Sequence, residues 1–152
     1  MGRMRTLQDW LTEYSISHQN PRNKRLHWIC VPLITASVIG LVWSLSSVLA
    51  LIALILAMIF YARLSIPLFS VMALFSTAIV ILIWILSAPL QSFSTYAPFW
   101  FYLGMFVVGW IGQFYGHKIE GKKPSFFKDL QFLLIGPAWC ADYLMKKFGK
   151  SL

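Results

Sequence analysis

Charge in this chain is confined to its two ends and one interior position. No Asp, Glu, Lys or Arg occurs from Trp28 to Ala62 or from Leu64 to His117, and only Arg63 separates these stretches. Every other charged residue lies in the first 25 positions or after His117. A soluble fold must solvate its whole surface, and typical soluble domains are about 25% charged; here the figure is 12%, with 59% of residues hydrophobic. An all-α integral membrane protein fits this pattern. The formal charge of +8 then reads as cytoplasmic retention of Lys and Arg and attraction to anionic headgroups. Nucleic-acid binding is excluded, because no basic stripe with interleaved aromatics stands on a soluble surface.

A spanning helix needs about 20 apolar residues, so each long stretch divides in two. Ser44-Leu45-Ser46-Ser47 is the weak point of the first, predicting spans at about 27–45 and 48–63. The Pro- and Ser-rich segment from Ser87 to Pro98 reads as a loop in the second, predicting spans at about 67–87 and 98–116. The four spans form two hairpins within a single membrane domain, 1–152. Leu7, Trp10, Leu11 and Tyr14 recur at i, i+3, i+4, i+7, which predicts an amphipathic helix over 6–17 lying on the headgroups. Thr6 and Asp9 have capping-box spacing. The segment from His18 to Arg25 reads as a polar connector. Residues 125–148 are apolar but broken at Gly136-Pro137, which predicts short interfacial or re-entrant helices. The charged, amphipathic N-terminus and the over-long apolar run after it do not read as a cleavable signal. Cys30 and Cys140 read as buried structural thiols.

With four spans and the N-terminus inside, all thirteen Lys and Arg fall on the cytoplasmic side and the two outer loops hold none. That satisfies the positive-inside rule. The short loops and tails point to a bacterial inner membrane, with the endoplasmic reticulum as the alternative. His18, His27 and His117, the only histidines, then share one face of the bilayer. His117 and Glu120 have i, i+3 spacing, so both project from one face of a continued fourth helix. Imidazole with carboxylate suits a divalent metal, and non-haem iron oxygenases use two His and one carboxylate with open positions. Asn23 lies one helical turn before His27. Interfacial polarity alone also accounts for a histidine followed by an acid. No zinc-protease motif, nucleophile elbow or P-loop occurs, and the absence of ionisable groups at mid-span argues against a charge-coupled transporter.

Two blocks carry a family resemblance. Tyr14-Ser15-Ile16-Ser17-His18-Gln19-Asn20-Pro21-Arg22-Asn23-Lys24-Arg25-Leu26-His27, followed by Pro32, resembles the opening of the membrane 2-hydroxy fatty acid dioxygenases. Trp110-Ile111-Gly112-Gln113-Phe114-Tyr115-Gly116-His117-Lys118-Ile119-Glu120-Gly121-Lys122-Lys123-Pro124 is similar to that family's second motif, and Gly136-Pro137 to its C-terminal part. The resemblance implies an Fe(2+)-dependent dioxygenase of fatty acid α-oxidation that uses O2 to cleave C1–C2 of a 2-hydroxy fatty acid, leaving an acid one carbon shorter. It implies His18, His27 and His117 as catalytic metal ligands, with Glu120 as a fourth. Asp142 stands where relatives are expected to carry Glu. Arg22, Lys24, Arg25, Lys122 and Lys123 are candidates for attracting the substrate carboxylate. Asn20, Asn23, Gln113 and Asp142 are available to orient the imidazoles, and Asn23 and Gln113 to meet substrate. The competing readings are a membrane scaffold or lipid-binding protein without metal, and a small transporter.

Overall fold

The computed structural model describes residues 5–121, 132–150 and 152. Six helices are present among the described residues: α1 (Leu7–Ile16), α2 (Pro21–Leu45), α3 (Ser47–Leu64), α4 (Ile66–Phe93), α5 (Ala97–Glu120) and α6 (Ile135–Lys147). The fold is all-α, and α2 to α5 are each long and apolar enough to cross a membrane. Their outward faces carry large apolar side chains such as Leu74, Trp84 and Ile111, all exposed. Lipid is the solvent that such surfaces require.

The helix ends follow from local chemistry. Thr6 and Asp9 form a reciprocal capping box on α1. Pro21 takes the first turn of α2, where its missing N–H costs nothing, and the Asn20 side chain accepts from the Arg22 N–H. The first span therefore starts at Pro21 rather than near residue 27, and the expected connector shrinks to residues 17–20. Ser46 and Ser65 each end one helix and cap the next, giving two tight turns.

The expected loop over Ser87–Pro98 is corrected: α4 runs on through Pro89 to Phe93. The serine hydroxyls fold back on the helix, Ser87 to the Ile83 carbonyl and Ser92 to that of Pro89, both at 2.7 Å. Away from water, backbone groups must find partners within the protein, which keeps this stretch helical despite its composition. Gly121 ends α5 in the left-handed region (φ 71°), its N–H reaching the carbonyls of His117 and Lys118.

The α2–α5 pair is the most extensive helix contact, and glycines set its closeness. Gly109, Gly112 and Gly116 recur along one face of α5; a Cβ on them would strike Ile34, the Cys30 sulfur and the Asn23 carboxamide oxygen respectively. Small residues at such positions let two backbones approach in lipid. The α1 helix packs on α6, whose first two turns, Ile135 to Asp142, are buried while its last turn is exposed. Cys30 and Cys140 are both free and buried. The part of the expected C-terminal helical region over 125–131, and Lys122 and Lys123, lie outside the described residues.

Candidate metal centre

Three elements deliver one histidine each. His18 follows α1, His27 sits in the second turn of α2, and His117 in the last turn of α5. All three are buried, at 2%, 1% and 4% exposure, where a histidine without a purpose is uncommon. A ligand-type nitrogen from each lies within 4.8 Å of those of the other two. The ring centroids of His18 and His27 are 4.1 Å apart, those of His27 and His117 5.2 Å, and those of His18 and His117 5.6 Å.

Backbone carbonyls orient two of the rings. His18 Nδ1 lies 2.7 Å from the Tyr14 carbonyl, and His27 Nδ1 lies 3.1 Å from the Asn23 carbonyl. A carbonyl only accepts, so Nδ1 carries the proton in both rings and Nε2 keeps the lone pair. Metal-binding histidines are commonly held this way. The donor set therefore fits a transition-metal ion: three buried imidazoles from distant segments, two with fixed tautomers. Aromatic rings close the pocket. Tyr14 stacks on His18 at 4.2 Å, and Trp139 of α6 lies 5.6 Å from His18, its indole N–H donating to Ser15 Oγ at 2.9 Å. Gln113 lies one turn before His117 and is buried beside His27.

Glu120 has other partners. Its carboxylate accepts from the backbone N–H of Gln19 at 2.8 Å, that of Asn20 at 2.9 Å, and the Asn23 side-chain amide at 2.9 Å. It joins the end of α5 to the segment that carries His18 and to the start of α2. Asp142 pairs with Lys146 one turn on, at 2.7 Å. Of the basic candidates, Arg22 is exposed, while Lys24 and Arg25 border a surface groove of about 560 Å³ with Lys147, floored by Trp28 and Ile29. Asn23 is fully buried, at the hinge of the Glu120 network.

Several contributors went unread in the sequence. Tyr14 was legible only as part of an apolar stripe, and nothing in the sequence tied Trp139 to Ser15. The Gly109, Gly112, Gly116 spacing was a readable sign of close helix packing.

The comparisons with known proteins agree with this geometry. A family model described as 2-hydroxy-palmitic acid dioxygenase Mpo1-like matches residues 4–148. The 2-hydroxy-palmitic acid dioxygenase MPO1 of Saccharomyces cerevisiae (strain ATCC 204508 / S288c) is 30% identical over 155 residues, covering 94% of this chain and 82% of the yeast protein. No solved structure matches. On the match across nearly its whole length, the chain belongs to the Mpo1-like 2-hydroxy-palmitic acid dioxygenase family.

Proposed function

We propose that this protein is an iron(II)-dependent dioxygenase that shortens 2-hydroxy fatty acids by one carbon. The observation that carries the reading is the burial of His18, His27 and His117 around one point. The yeast relative named for a 2-hydroxy-palmitic acid dioxygenase activity supplies the substrate class. His18, His27 and His117 would hold the metal. Imidazole suits zinc, copper, iron and nickel alike, and use of O2 favours iron, which supplies the one-electron chemistry that O2 requires.

The overall change balances with one O2. Cleavage of C1–C2 turns C2 into the carboxyl of the shorter acid, C1 leaves as carbon dioxide, and one water forms, as O2 takes up four electrons. The chain's own groups prepare the site. The Tyr14 and Asn23 carbonyls fix the tautomers of His18 and His27. Glu120 holds the Gln19-Asn20 backbone, and with it the His18 segment, against α5. Tyr14 and Trp139 exclude water. Lys24, Arg25 and Arg22 draw the carboxylate of the substrate to this end of the bundle, which we assign to the cytoplasmic side by the positive-inside rule. We take the whole chain as one membrane domain, in a bacterial inner membrane or the endoplasmic reticulum.

The test is an anaerobic mixture of purified protein, ferrous iron and 2-hydroxyhexadecanoic acid, started by admitting O2. Stoichiometric pentadecanoic acid from the wild type and none from His117→Ala is expected. Unchanged substrate across several lipid and detergent conditions would overturn the proposal.

A further inference from the structure

Two partly open cavities lie in the bundle beside the histidines, the first lined by Tyr14, which stacks on His18, and by Gln113, which lies beside His27. The first, of about 30 Å³, has Tyr14, Trp110 and Gln113 on its histidine side and Thr35 and Leu133 on the other. The second, of about 180 Å³, begins at the same Thr35 and Leu133 and continues between α2, α3 and α4 to Val42 and Ala50. The two cavities share Thr35 and Leu133 in their linings. We propose that together they form the tunnel that takes the acyl tail of the substrate, and that Thr35 and Val42 set the chain length accepted. The proposal rests on the 2-hydroxy fatty acid reading above.

The register of α2 explains the tunnel's course. Val31, Ile34, Thr35, Val38 and Val42 line it and follow His27 by 4, 7, 8, 11 and 15 residues, all on the face that His27 occupies. At about 1.5 Å per residue, His27 to Val42 spans about 22 Å. One leaflet of a bilayer, half of an approximately 30 Å hydrocarbon core, is filled by a single lipid tail, and this depth exceeds that of a leaflet, so a long chain has room. Room comes from α3, where Ala50, Ala53 and Ala57 face the cavity at i, i+3, i+7 while Leu51, Ile52 and Leu56 are exposed.

Two of the hydroxyls along the wall are turned to backbone carbonyls. Thr35 Oγ1 donates to the Val31 carbonyl at 2.9 Å, and the Tyr61 hydroxyl donates to the Leu134 carbonyl at 2.7 Å. Most of the remaining lining is aliphatic, which suits an apolar guest. The Tyr61 bond also pins the Leu133-Leu134 turn across the tunnel, so α3 holds the segment that lines both cavities.

The experiment compares 2-hydroxy acids of 6 to 18 carbons with wild type, Val42→Phe at the far end, Thr35→Phe at the junction, and Leu74→Phe on the lipid face as a control. Both turnover and the rise in Tm on binding are read. Val42→Phe is expected to lower the ratio of 16-carbon to 10-carbon activity at least tenfold, and Thr35→Phe to shift the preference to shorter acids still. If Thr35→Phe does not fold, Ala53→Leu replaces it. Unchanged profiles in folded variants, or an equal loss at every length, would overturn the tunnel. If the wild type oxidises none of these acids, the function fails, and the binding profile alone then decides the tunnel. Chain-length-dependent stabilisation that Val42→Phe cuts short supports it, and none refutes it.

Discussion

Glu120→Ala separates two roles that spacing alone leaves equal. In the structure this carboxylate accepts from the Gln19 and Asn20 N–H groups and from the fully buried Asn23 amide. Truncation leaves the buried Asn23 amide only its long bond to the Ser17 carbonyl, at 3.5 Å, which costs about 1–3 kcal/mol, while the two backbone donors lie near the edge and recover water at a smaller cost. The total is about 2–4 kcal/mol, a fall in Tm of roughly 5–15 °C for a chain of this size. The three histidines remain, so metal should bind more weakly but still bind. The assay pairs thermal unfolding in detergent with metal content after anaerobic loading, using His117→Ala for comparison. Glu120→Gln, which keeps an acceptor oxygen but turns an NH2 toward donors, should fall between. A Glu120→Ala protein with wild-type Tm and metal lost as fully as in His117→Ala would refute this reasoning and make Glu120 a ligand.

Gly116→Ala would drive a methyl into the Asn23 carboxamide and within 3.3 Å of the His27 ring; overpacking of this kind costs about 1–3 kcal/mol, and metal binding should drop with it. Gly104→Ala, with nothing within 4 Å, should leave metal content unchanged in the same assay. Burial pushes the Cys140 thiol from 9.0 up to about 12. Iodoacetamide at pH 8 should therefore label it slowly in the folded protein and fast after unfolding. Because the folded value lies above the unfolded one, its contribution to stability is full below about pH 9 and is lost as pH rises towards 12. Replacing Trp139 with Phe removes the bond to Ser15 Oγ and should cost about 1 kcal/mol in a denaturation curve.

The spans were legible because charge is forbidden in lipid, and the run of apolar residues between Arg25 and Arg63 left no other reading. Helix ends were less so. Pro89 and its serines look like a loop in water, but in an apolar surrounding the hydroxyls return to their own helix. His18 to Arg25 reads as a connector in the sequence, whereas Pro21 opens α2 and so puts Asn23 and His27 on one helical face. The three histidines could be nominated from their common side of the membrane. Their convergence was implied only by the family resemblance; its geometry depends on how closely α2 and α5 approach, of which the Gly109, Gly112, Gly116 spacing was the one readable sign. The partners of Glu120 were hidden for the same reason: they lie up to 101 positions away and two are backbone groups without a sequence signature.

Metal content per chain is the most direct check on the convergence of the histidines. Protein purified without oxygen, loaded with ferrous iron and desalted should carry one ion per chain. His18→Ala, His27→Ala and His117→Ala should each reduce that occupancy at least tenfold while keeping the helical circular dichroism of the wild type. Full occupancy in any one of the three folded variants would contradict a shared three-histidine site.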